Sequence, residues 1–306
     1  MTSLSIIAFP GAPNLPVFAA IDRGFFADAG LEIDFQTTPS SVFQFEKFGT
    51  GAFDIAFTAF DNVVAYCEGQ GAAKLPTLPD FRVVMGCTQI ELGLVVSPDI
   101  KTVEDLRGRS LALDAVSTGF AFVLYEMLAR SGLAYGDYEV VPVGSTPERW
   151  RSVKDGDHAG TITIEPFTSI AKASGFPTLL SSGDFFPAYQ GGVIAVRQDW
   201  AVENGEALTA FLGVYRRGLD WVRDPANRDA AAAILAARMP EIQPKALEAV
   251  MRSLLSPVSG LTPDGAILRD GARAVLDLRT KYGSGTTTLT NVDRYLDLSW
   301  AESVPA

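Results

Sequence analysis

Two cysteines, Cys67 and Cys87, and one histidine, His158, are all the thiol and imidazole chemistry in 306 residues. Two thiols cannot build a disulfide framework, and no metal-type spacing surrounds them. A zinc site or a Ser-His-Asp triad would rest on His158 alone, so no resident metal or cofactor is expected. Positive charge is scarce as well. Lys and Arg number 25 against 36 Asp and Glu, which leaves a formal net charge of −11 and a pI near 4.6. A nucleic acid or an anionic membrane would have to be held against the overall field, and neither is an expected partner. No run reaches the roughly 18 apolar residues that a membrane-spanning helix needs. Met1 to Phe9 lacks the basic start and long apolar core of an export signal, and the fold is expected to begin at Leu4.

Hydrophobic residues make up 47% and charged residues 20%, a globular composition with length for about two domains. The most informative stretch is Gly51 to Tyr66, GAFDIAFTAFDNVVAY. Its strongly β-forming part, Phe53 to Phe57, empties without a spacer into Thr58, Phe60, Asp61 and Asn62, and Asn62 is placed to cap an apolar helix through Tyr66. A buried strand thus delivers polar groups to its C-terminal tip. In open parallel α/β sheets ligands sit at such tips, beside the free N–H groups of helix starts.

The rest of the chain repeats strand, loop and helix. Leu4 to Phe9 predicts a strand, Pro10 to Asn14 an irregular loop, and Leu15 to Phe26 a helix. Leu31 to Thr37 alternates as a strand, and Ser40 or Ser41 caps a helix over Val42 to Phe48. Arg82 to Gly86 and Leu92 to Val96 are short apolar strands. Ser110 to Leu113 then opens a second sheet, followed by a helix over Phe120 to Ser131. Tyr138 to Val143 and Ala159 to Ile164 continue that sheet, with a helix from Thr146-Pro147-Glu148 between them. Gly191 to Arg197 predicts another strand. From Asp199 onward the periodicity is helical: Asn204 to Asp220, Ala226 to Met239, Pro244 to Leu255 and Ala266 to Lys281, expected as outer cladding of the first lobe.

Four segments in order carry a family likeness: Phe18-Ala-Ala-Ile-Asp22-Arg-Gly24-Phe25-Phe26 with Gly30-Leu-Glu-Ile-Asp34; Gly51-Ala-Phe-Asp54-Ile-Ala-Phe-Thr58; Thr102-Val-Glu-Asp105-Leu106-Arg-Gly108; and Glu165-Pro166-Phe167 after a Gly-led strand. The chain resembles the periplasmic solute-binding proteins of the sulfonate/taurine, nitrate and thiamine-precursor type, the NMT1/THI5-like group. The resemblance implies a two-lobed type II periplasmic-binding fold of the α/β class. Each lobe would be a mostly parallel sheet flanked by helices, with a helical C-terminal region. Lobe one would comprise residues 1–89 and 192–306, and lobe two residues 90–191. The implied function is capture of a small organic molecule between the lobes for an ABC-type permease, by a monomer. The implied compartment is periplasmic if an export segment has been removed, and cytoplasmic if Met1 is the native start. The alternative is an enzyme on the same fold, with lyase, hydrolase or pyrimidine-precursor chemistry on a small aromatic substrate.

Candidate ligand-binding residues follow from strand tips and helix starts. Thr58, Phe60, Asp61 and Asn62 form one group, and Ser117, Thr118 and Gly119, at the start of an apolar helix, form another suited to an oxyanion. Ser40 and Ser41 offer the same chemistry from lobe one. Asn14 closes the first loop. Glu165 leaves an apolar strand with its carboxylate held extended by Pro166, and Tyr189 precedes the second passage between lobes. No catalytic residue is assigned, since Cys87 has no base near it in sequence. With Asp61 and Glu165 beside the cleft and no evident cleft arginine, a neutral or N–H-bearing planar ligand is slightly favoured.

Overall fold

The computed structural model describes residues 1–89 and 91–304. Two five-stranded mixed sheets form the scaffold among the described residues. The first contains β1 (Thr2–Ala8), β2 (Leu31–Thr37), β3 (Ile55–Ala59) and β4 (Phe81–Gly86). The second contains β5 (Gly93–Val96), β6 (Ser110–Leu113), β7 (Glu139–Pro142), β8 (Gly160–Thr163) and β9 (Thr178–Ser181). The chain then returns to the first sheet as β10 (Gly192–Arg197). Strand orders are β2-β1-β3-β10-β4 and β7-β6-β8-β5-β9.

Each sheet is parallel except for one strand, β10 in the first and β5 in the second, which pairs antiparallel with both neighbours. These are the two strands entered directly from the other lobe. The parallel strands end at the cleft, so a strand that begins at the cleft must run the opposite way. The passages lie side by side, with Gln89 bridged to Gln190. The Gln190 side chain ties them together, donating to the carbonyls of Thr88 and Gly192 and accepting from the Leu268 N–H.

Helices clothe both sheets. In the first half they are α1 (Leu15–Asp22), α2 (Phe25–Asp28), α3 (Ser41–Gly49), α4 (Phe60–Cys67), α5 (Gly119–Arg130), α6 (Thr146–Lys154) and α7 (Phe167–Ala173). After β10 come α8 (Gln198–Glu203), α9 (Gly205–Arg223), α10 (Arg228–Arg238), α11 (Pro244–Leu254), α12 (Arg269–Tyr282) and α13 (Ser299–Glu302). The helix expected over Leu15 to Phe26 is broken in two, because Gly24 takes a left-handed φ of 75° that ends one turn and starts the next. Strand β9 carries no alternating signal in sequence and was not expected.

Two large apolar cores hold the layers, with a small third one under α7. One packs Leu15, Val17 and Phe18 of α1 and Phe211 and Tyr215 of α9 against one face of the first sheet. The other runs without a break from Phe45, Phe60 and Phe81 to Phe122 and Leu128 in the second lobe. The C-terminal helices are more than cladding. Arg279 of α12 donates to the Ser117 carbonyl before α5, Lys281 and Tyr282 reach Glu126 of α5, and Lys245 of α11 donates to the Ala173 carbonyl of α7. They bridge the lobes because hydrogen-bond donors at the ends of α11 and α12 find acceptors in lobe two.

Candidate functional site

A cavity of about 90 Å³ lies between the lobes, where the strands of both sheets end. Its lobe-one wall is built by Phe9 after β1, by Phe57 and Thr58 near the end of β3, and by Cys87 and Thr88 after β4. Its lobe-two wall is built by Leu113 and Asp114 at the end of β6, by Ile164 after β8, and by Thr118, Gly119 and Phe120 at the start of α5. The surface is largely apolar, with polar groups concentrated at the helix starts, the usual composition of a small-molecule site.

The residues expected at the site divide into those on the cavity wall and those behind it. Asn14, Thr58, Asn62, Thr118 and Gly119 line it. Asn14 Nδ2 is held by the Phe9 carbonyl at 2.8 Å, and Asn62 Nδ2 donates to Thr58 Oγ1 at 3.1 Å. Asn62 does not cap α4, contrary to expectation: the strand extends to Ala59, the helix starts at once at Phe60, and Asn62 lies within the first turn. Asp61 turns away from the cavity. Its two carboxylate oxygens accept from Arg279 Nε and Nη2 at 2.7 and 2.6 Å, and both side chains are 1% exposed. Ser117 offers that same guanidinium its backbone carbonyl at 3.0 Å. Phe60 is wholly buried against Tyr295.

Ser40 caps α3, accepting from the Phe43 N–H at 3.1 Å. The Ser41 N–H points across the cleft to both Asp114 oxygens, at 3.2 and 3.1 Å. Glu165 lies off the cavity in a small side crevice, where its carboxylate accepts from Ser169 Oγ at 2.9 Å. It directly precedes Pro166, from which the chain turns into α7. Burial raises its pKa, and Ser169 only partly offsets this. Tyr189 is buried beside Phe186 with its hydroxyl unpartnered, and Phe167 belongs to a core under α7.

The sequence reading missed Arg149, which lines the cavity and is 3% exposed. It stands in the second turn of α6, with Nη2 donating to Thr146 Oγ1 at 2.8 Å and Nε left without a partner. No carboxylate among the described residues lies within salt-bridge distance of it, and burial lowers its pKa to about 10. It stays charged at neutral pH. The signal was the Ser145-Thr146-Pro147 start of a helix that follows a strand, which turns α6 so that its N-terminal end faces the cleft. The cleft therefore does hold an arginine, whose absence was the premise of the slight preference for a neutral ligand. Arg149, Asn14 and Asn62 bring N–H donors to the cavity wall, and Phe9, Phe57 and Phe120 its apolar part, while the Thr118 hydroxyl donates to the Ala115 carbonyl at 3.2 Å.

Cys87 also lines the cavity, but burial pushes its thiol up to about 12. His158 is bonded to Ser110 at the opposite end of β6 from the cleft, at 3.0 Å. His158 thus lies away from the cavity.

The NMT1/THI5-like family model matches residues 13–227. A putative aliphatic sulfonates-binding protein of Bacillus subtilis (strain 168) is 25% identical over 276 residues, covering 87% of this chain and 78% of its own length. The alkanesulfonate-binding protein SsuA from Xanthomonas axonopodis pv. citri, solved with MOPS bound, superposes with a TM-score of 0.74 at 17% identity, covering 98% of both chains. A desulfurization enzyme superposes with a TM-score of 0.66 at 15% identity, covering 99% of this chain and 98% of its own.

Proposed function

The chain belongs to the NMT1/THI5-like family, and from that premise we propose that it is the solute-binding component of an ABC-type importer, capturing a small organic acid in the interlobe cavity. The jaws are residues 1–89 with 192–306 on one side and 90–191 on the other. Its relatives' roles support work outside the cytoplasmic membrane. The observation that carries the choice of ligand is Arg149: a buried cation with a free Nε–H, in the second turn of α6, on the wall of the cavity. A buried charge outside ion-pair contact is costly, and a ligand acid group that meets it directly relieves that cost. Sulfonate-binding relatives support an alkanesulfonate or a similar acid with an apolar body.

Enzyme chemistry is the weaker reading. A nucleophilic thiol must ionise near neutral pH, whereas Cys87 is held protonated and no imidazole adjoins it. Isothermal titration with butanesulfonate and pentanoate tests the proposal. Binding is expected, and Arg149→Met is expected to weaken it about ten- to a hundredfold, the range for a hydrogen bond to a charged group. Equal binding of these acids to the parent and to Arg149→Met would overturn it, and product formation from a bound acid would restore the enzyme reading.

A further inference from the structure

An anion site gains nothing in affinity from a carboxylate, yet Asp114 sits in this one. It ends β6 on the cavity wall and is one of two charged side chains lining the cavity, the other being Arg149. Asp114 acts on the guanidinium only through space, since the guanidinium is held by Thr146 and no ion pair joins the two. Asp114 is held instead from the facing lobe, both oxygens accepting from the Ser41 N–H at the start of α3. Closure of the lobes therefore delivers a negative charge to the ligand chamber and fixes it there.

We infer that Asp114 makes the cleft selective for acid headgroups bearing one negative charge and excludes those bearing two. The inference rests on the acid-binding reading of the cleft. A sulfonate and a phosphonate share a tetrahedral shape, and the same donors satisfy both. They differ in charge, since an alkylphosphonate carries a second negative charge at mildly alkaline pH. Arg149 compensates the first charge. The second is desolvated beside a fixed carboxylate, and like charges a few ångströms apart in a shielded site repel strongly. Rejection by an introduced repulsion is a common route to specificity where shape cannot discriminate.

Three probes of one chain length separate charge from shape: butanesulfonate, butylphosphonate and the O-methyl monoester of butylphosphonate, titrated at about pH 9, where most of the second is a dianion, with its affinity corrected for the monoanion that remains. The sulfonate and the monoester are expected to bind alike, and the dianion about tenfold or more weakly. Asp114→Asn keeps a carbonyl oxygen for the Ser41 N–H and removes the charge, so it is expected to erase most of the difference. Dianion binding as tight as sulfonate binding in the parent overturns the inference while leaving the cleft reading intact, and so does an unchanged ratio in Asp114→Asn. Failure of the sulfonate to bind the parent overturns both.

Discussion

Asp61 and Asn62 are adjacent in sequence and do unrelated work. One helical step, about 100°, turns Asn62 to the cavity and Asp61 to Arg279. Sequence alone singled out both as polar groups at a strand tip and had no means of assigning them, because Arg279 lies more than two hundred residues away. Removing one partner of a buried pair strands the other, so Arg279→Met is expected to destabilise the fold by about 3–5 kcal/mol, read as a lower thermal midpoint. An unchanged midpoint would show that water reaches Asp61. Glu165 gives a pH-dependent counterpart. Burial raises its folded pKa above 4.5, so the folded state holds the proton more tightly, and stability falls as pH rises from 4.5 through the raised value. Glu165→Gln removes that penalty, and its melting temperature is expected to exceed the parent's at neutral pH and to converge with it below about pH 4, where glutamates are mostly protonated. An equal gain at both pH values would point to packing instead.

At the scale of elements, the periodicity of α9, α10 and α11 in sequence matched the observed helices to within a few residues, since their apolar faces lie on one core. Their partners were not legible, because a periodic stripe specifies that a face is buried and not what covers it. Helix α12 carries the same kind of stripe and meets both lobes. Gly119, the first residue of α5, shows how closely the lobes approach: a Cβ there would stand 2.4 Å from Asp61 Cβ, and Asp61 is fixed by Arg279. Gly119→Ala, although alanine suits a helix start better than glycine does, is expected to hold the lobes apart and weaken ligand binding about tenfold while leaving the fold intact. Parent-like affinity by titration would mean that the lobes close by another path.

The whole molecule is two sheets hinged on paired passages, with the ligand chamber and several latches on the faces that meet. Asp114 to Ser41, Arg279 to Ser117 and Ser145 to Pro39 all cross between lobes. Ligand and latches together favour the closed arrangement, so X-ray scattering is expected to show a smaller radius of gyration with butanesulfonate than without. A ligand at a hundred times its dissociation constant is expected to stabilise the fold by about 2.7 kcal/mol. An unchanged radius on saturation would mean that the free protein is already closed.

Sequence alone determined the α/β class, the order of most strands and helices, and the strand tip at Thr58, because each of these is set by local periodicity, turn residues and caps. Tertiary structure decided the rest of the site. Arg149 and Asp114 are ordinary charged residues on a helix and at a strand end until two lobes, joined by passages far apart in the chain, close around them. In the folded molecule Arg149 is buried with its Nε without a partner, and Asp114 meets the start of α3 across the cleft. The character of the cleft is thus a property of desolvation and of charges brought together across the fold, which no local pattern encodes.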